Sequence, residues 1–157
     1  MNYLIWDFDG TLGYRSEGMW TGALLEVLRQ ETPDRSFDRL RMTKESERIR
    51  PYLQTGFPWH PPYTPHPEIT SSAEWWDRLN VIFEQAFKGL GFDALKARLM
   101  ARRVRDVFPD PAYWRAFDDT RPALEHLAAE GWTHLMLSNH VPELRDIVDH
   151  LGLTYYF

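Results

Sequence analysis

The 157-residue sequence contains no cysteine, so it has no disulfide and no thiolate metal site. Lysine is scarce, three residues against fifteen arginines. The net charge of −5 argues against a general nucleic-acid binder. No apolar run is long enough to span a bilayer. The N-terminus lacks a basic region followed by a hydrophobic segment, so no signal peptide is expected. The expectation is a cytoplasmic protein with no membrane and no nucleic-acid partner. What the chain does have is aromatic residues, seven Trp among them, and proline concentrated in one place. Its length suits one domain, or a small domain carrying an insertion.

Residues 3–12 organise the rest. Tyr3-Leu4-Ile5-Trp6 is a continuous apolar run, which suits a strand buried on both faces of a parallel sheet. The run stops at Asp7 and Asp9, with Gly10 just after. Alternate strand residues share a face, so the two acids are expected on one side. Two carboxylates crowded at the end of a buried strand are costly unless something positive holds them. A divalent cation is the simplest solution, and carboxylates suit magnesium. Gly10 permits a tight turn or a close approach to a ligand. The plain alternative is an Asp-Gly turn after a strand.

Further on, helical spacing begins near Met19, with Trp20, Leu24, Val27 and Leu28 on one face, and Pro33 ends it. Gly13 to Met19 reads as a loop. Phe37 to Leu53 is a weaker, heavily charged pattern, expected as a solvated helix. Residues 51–67 hold six of the eleven prolines, so Gly56 to Pro67 is expected as loop. Its histidines, His60 and His66, are expected to lack partners. Ser71-Ser72-Ala73-Glu74 is a capping box opening a strong helix, with Trp75, Leu79, Ile82, Phe83, Ala86 and Phe87 as its core face. Asp93 can cap the next helix, whose apolar side is expected to include Leu95 and Leu99. Its arginines, Arg98, Arg102, Arg103 and Arg105, are read as a solvated face.

Asp118-Asp119-Thr120 and Pro122 then signal a helix start, with Leu124, Leu127 and Ala128 as its apolar face and Gly131 as its stop. Trp132 to Leu137 reads as a second buried strand. It ends at Ser138-Asn139-His140, and Pro142 opens another helix with Leu144, Ile147, Val148 and Leu151 on one face. A strand ending in Ser138 and leading into a helix N-terminus would make an anion site. Thr154 to Phe157 is expected to begin a further strand.

Asp7-Phe8-Asp9-Gly10-Thr11-Leu12 resembles the first motif of the haloacid dehalogenase-like (HAD) hydrolases. About 130 residues later, Leu135-Met136-Leu137-Ser138-Asn139 resembles their second. The resemblance implies that Asp7 is the nucleophile, forming an aspartyl-phosphate, and that Asp9 is acid and then base. It implies that Gly10, Thr11, Ser138 and Asn139 hold the phosphoryl group, with the amides of Phe8, Asp9, Thr11 and Asn139. Asp7 and Asp9 would bind Mg2+, Asp9 through its main-chain carbonyl. Dehalogenases of the family lack the second Asp, so Asp9 favours phosphate chemistry. The implied fold is α/β: a three-layer Rossmann-like core with a parallel sheet, at residues 1–14 and 108–157, and an inserted α-helical cap at 15–107. The implied activity is a phosphomonoesterase acting on a small phosphorylated metabolite. A phosphosugar mutase uses the same two acids. A non-catalytic domain kept for binding or assembly is the reading from another class.

One departure from the family counts. Its third motif, a Lys or Arg, and its fourth, an acidic pair, lie downstream of the second. Here 19 residues follow Ser138, with no Lys among them. Asp118 and Asp119 precede the second strand and read as helix-start residues. The expectation is a truncated core, inactive alone, with an open sheet edge beside strand 3–7 through which copies would self-associate.

Overall fold

The structure, a computed structural model, describes residues 2–33, 39–60 and 65–157. Along the chain run β1 (Asn2–Trp6), β2 (Gly13–Arg15), α1 (Trp20–Glu31), α2 (Arg39–Ile49), α3 (Ser72–Gly89), α4 (Ala94–Val107), β3 (Trp114–Ala116), α5 (Thr120–Ala129), β4 (Trp132–Met136) and α6 (Leu144–His150). Short 3-10 turns occupy Arg50–Leu53, Pro111–Tyr113 and Thr154–Tyr156. Two compact units result, one of Met1–Glu17 with Pro109–Phe157, the other of Gly18–Phe108. No helix among the described residues is long and apolar enough to cross a membrane.

The first unit is mixed α/β. β1 and β4 pair in parallel, with Tyr3 opposite Thr133 and Ile5 opposite Leu135. Parallel neighbours need a crossover connection, and α5 forms its last part, turning at Gly131 into β4. One face of the pair is held by a buried histidine. The Trp6 indole N–H donates to His134 Nδ1 at 3.0 Å, and His134 Nε2 lies 3.0 Å from the Leu124 carbonyl of α5. An indole only donates, so Nδ1 must accept, and the ring hydrogen sits on Nε2 and donates to Leu124.

The opposite face corrects the expectation of strands buried on both sides. Tyr3, Ile5, Leu135 and Leu137 are exposed, Ile5 to 66% and Leu137 to 75%. An apolar run reports affinity for burial, but a strand face is buried only where something packs on it, and α5 lies on the His134 side. A second sheet pairs β2, within the stretch read from sequence as loop, antiparallel with β3, to which the sequence reading assigned no element. The C-terminal residues are also corrected. Tyr156 N–H bonds back to the Leu153 carbonyl and Phe157 N–H to that of Thr154, a 3-10 turn rather than a strand.

The second unit is helical. Leu24, Val27 and Leu28 of α1 meet the core with Leu79, Phe83, Ala86 and Phe87 of α3. The capping box forms: Ser71 Oγ accepts the Glu74 N–H at 3.2 Å, and the Glu74 carboxylate accepts from Thr70 and Ser71. Trp76, rather than Trp75, is the buried tryptophan of α3. In α4 the apolar side is corrected. Leu95 and Leu99 are exposed, and Ala97, Met100, Ala101 and Val104 are buried. Alanines let α4 pack closely against its neighbours, a preference that side-chain size alone conceals. Trp20 stacks on Phe108 at 3.8 Å between ring centres and also meets Trp59, Trp75 and Trp76. α2 is charged, as expected, with Leu40 exposed, though Ile49 at its end is fully buried. Phe37, and Pro61, Pro62, Tyr63 and Thr64 of the proline-rich loop, lie outside the described residues.

The arginine row of α4 is not merely solvated. Arg103 pairs with Glu31 of α1 at 2.6 Å, and Lys96 bonds the same carboxylate. Arg98 pairs with Glu84 of α3 at 3.3 Å. The Lys96 hydrogen bond, with Arg103 beside it, holds the Glu31 carboxyl below its ordinary range. A carboxyl depressed in the folded state stabilises the fold above its unfolded value, and that contribution is lost as pH falls through the folded one. Glu31→Gln should therefore cost about 1 kcal/mol at neutral pH, a value kept small by solvent screening. The deficit should shrink below a pH of about 4. Thermal unfolding of both proteins at the two pH values checks this; an equal deficit at acidic pH would contradict it.

Candidate active site

The loop after β1 is tied to a single carbonyl. The N–H groups of Thr11, Leu12 and Gly13 all donate to the Phe8 oxygen, at 3.2, 2.9 and 3.1 Å. Gly10 sits at φ +75°, a conformation glycine adopts without strain, and its N–H donates to the Gly13 carbonyl at 2.9 Å. The Leu12 carbonyl in turn accepts from Phe117 N–H and, at 2.7 Å, from the buried Thr120 hydroxyl at the start of α5. Phe8 is fully buried, so the chain turns Phe8 into the core between Asp7 and Asp9. Gly13 makes this possible: a Cβ there would lie 2.9 Å from both the Phe8 ring and the Arg115 carbonyl.

These bonds correct part of the expected phosphate cradle. The amides of Gly10 and Thr11 are already engaged within the loop. The remaining residues converge. β4 continues its pairing one step, Leu137 N–H donating to the Trp6 carbonyl at 2.9 Å. The Ser138 hydroxyl then donates to Asp7 Oδ1 at 2.6 Å. Asp7, Asp9, Leu137, Ser138 and Asn139 line one cavity of about 460 Å³, and Gly10 and Thr11 are not among its lining residues. The cavity lies at the C-terminal ends of two adjacent parallel strands, the position at which open α/β sheets bind ligands.

The helix expected directly after Ser138 starts later, at Leu144, and has seven residues. Pro142 has no N–H to donate, and residues 139–143 turn first, with Leu144 N–H bonded to the Val141 carbonyl. The anion site by helix dipole at Ser138 is therefore withdrawn. Asp118 and Asp119 stand at the start of α5, as read from sequence.

Sequence reasoning passed over His140. Its side chain is 2% exposed, and its Nε2 lies 3.4 Å from Asp9 Oδ1. The one available signal was its place directly after Ser138-Asn139. The other histidines of interest belong to the helical unit. His66 is paired with Glu68 at 3.0 Å, correcting the expectation that it has no partner, and His60 packs on the rings of Phe57 and Trp59. Among the described residues, no group of three or more His, Asp or Glu side chains is placed to hold a metal. Magnesium asks less than that, since it commonly takes one or two carboxylates and completes its shell with water and phosphate oxygens.

No protein-family model matches the chain, and no curated protein matches it. A solved structure does: that of a predicted phosphatase from Clostridium acetobutylicum, at 20% identity and a TM-score of 0.52. The match covers 99% of this chain and 58% of that one. The two share a fold, a mixed α/β arrangement with a small parallel sheet and several helices.

Proposed function

We propose that these residues form the site of a HAD-like phosphomonoesterase that hydrolyses a small phosphorylated metabolite through an aspartyl-phosphate on Asp7. One observation carries the reading: the 2.6 Å hydrogen bond from Ser138 to Asp7, which joins the ends of β1 and β4 over a cavity that Asp9 also lines. An exposed carboxylate at the strand end can approach a phosphorus atom in line. The Asp7 oxygen would form a bond to phosphorus as the ester P–O bond breaks, and Asp9 would give its proton to the departing alkoxide. Asp9 would then take a proton from water as that water attacks phosphorus, freeing phosphate and restoring Asp7. Ser138 and Asn139 would orient the phosphoryl oxygens. On this reading the helical unit is the insertion that selects the substrate.

The cavity suits magnesium. Two carboxylates line it, with Ser138 and Asn139 as further polar side chains, and no Lys or Arg lines it among the described residues. Asp7 would hold the ion through its carboxylate and Asp9 through its main-chain carbonyl, leaving the Asp9 carboxyl to carry the proton. When bound, it would offset the negative charge gathered on the phosphoryl oxygens.

The test is phosphate release from a panel of phosphorylated metabolites by the full native gene product. Release should require magnesium and disappear with a chelator. Retention of phosphate on a second sugar position instead of release would favour the mutase. No release from any member of the panel, or release indifferent to chelation, would contradict the proposal.

A further inference from the structure

We propose that His140 is a positioning residue for Asp9, fixing which carboxylate oxygen faces the cavity. The inference rests on the phosphatase reading above. It begins with an asymmetry in Asp9. The side chain is 28% exposed, yet its Oδ1 is buried and has no hydrogen-bond partner. The exposed part of the carboxylate is therefore turned away from Oδ1. His140 Nε2 stands 3.4 Å from that buried oxygen, slightly beyond hydrogen-bond length. Contacts in catalytic sites are often this long before substrate binds and tighten in the complex.

The histidine is itself fixed from two sides. Its ring meets Phe8 edge-on at 5.5 Å and 89°, and lies 5.0 Å from Trp114. Phe8 and Trp114 are 0% and 1% exposed and touch each other at 5.7 Å. These three rings come from the loop after β1, from β3 and from the loop after β4. Each is a separate part of the unit, so the imidazole's orientation is set by tertiary packing rather than by its own loop. Gly13 leaves room for the Phe8 ring on the other side. An imidazole held in this way, with Nε2–H toward Oδ1, restricts rotation of the Asp9 carboxylate. Oδ2 is then the oxygen presented to the cavity, where the proposed reaction needs a proton delivered and later removed. A carboxylate free to rotate would spend much of its time misaligned, and a misplacement of about 1 Å can cost on the order of a hundredfold in rate.

Two substitutions separate this role from packing. His140→Phe keeps an aromatic ring between Phe8 and Trp114 but has no donor. His140→Gln keeps a donor within reach of Asp9 but loses the ring. The full native gene product is assayed with an alkyl phosphate and with an aryl phosphate whose leaving group needs little protonation. Melting temperature and acid-quenched phosphoenzyme are followed in parallel. For His140→Phe, kcat on the alkyl phosphate should fall about a hundredfold, with KM within about twofold and near-normal melting. On the aryl phosphate, phosphoenzyme should accumulate, since attack proceeds and only the water step is slowed. His140→Gln should recover at least about a tenth of the wild-type kcat. A His140→Phe protein with kcat within about threefold of wild type would overturn the inference. Equal losses in both variants, tracking loss of melting temperature, would overturn it too by making His140 merely structural. A wild-type protein that releases no phosphate would instead overturn the phosphatase reading, and this inference with it.

Discussion

Replacing Asp7 with Asn should reduce phosphate release by about four orders of magnitude or more, the scale at which removal of a covalent nucleophile is felt. The amide is nearly isosteric but a poor nucleophile and a weak magnesium ligand. The fold should be unaffected. Asp7 is exposed, and an Asn carbonyl at that position can still accept the Ser138 hydroxyl. Exposed substitutions of this kind change stability by about 0.5 kcal/mol or less. Melting temperature and kcat measured on one preparation separate the two effects. A variant that melts like wild type and turns over at the wild-type rate would remove Asp7 from the chemistry.

Asp9→Asn should lower turnover by about 10²–10⁴-fold, the usual value of a positioned general acid–base. The size should depend on the substrate. Alkyl phosphates, whose leaving group needs a proton, should lose rate at both steps. Activated aryl phosphates should lose rate mainly at hydrolysis of the phosphoenzyme, so their first turnover should be nearly normal and later ones slow. Burst kinetics measure this directly. Equal losses on both substrate types, with no burst, would show that Asp9 does not transfer protons as proposed.

Much of the fold was legible because several signals were local. Ser71 and Glu74 cap α3 through short-range bonds that depend on residues three and four apart. The two apolar runs located β1 and β4, and their parallel pairing agrees with the core that the resemblance implied. What failed depended on distant partners. Ile5 and Leu135 look like core in isolation, but burial of a strand face is decided by what packs on it. Leu95 and Leu99 are the larger side chains of α4, yet Ala97 and Ala101 face the core because close packing selects small residues there. Tyr155 and Tyr156 have strand propensity, but the turn from Leu153 and Thr154 closes over them first.

That Asp7, Asp9, Ser138 and Asn139 line one cavity agrees with where the two motifs of the resemblance put them, at the ends of strands that the sequence locates. The engaged amides of Gly10 and Thr11 were not legible in the sequence, since the Gly13 and Phe8 carbonyls they serve are chosen by the loop's conformation. His140 was missed for a related reason. Its significance comes from Phe8 and Trp114, which lie far from it in the chain and meet it only in the folded unit.

The most direct test of the central claim is the location of the covalent phosphate. The full native gene product carrying Asp9→Asn is mixed with an activated aryl phosphate and magnesium, quenched in acid, digested and analysed by mass spectrometry. The account predicts one added phosphate on the peptide containing Asp7, absent when Asp7 is also changed to Asn. Phosphate release at the wild-type rate with no phosphorylated peptide, or phosphate found on a residue other than Asp7, would contradict it.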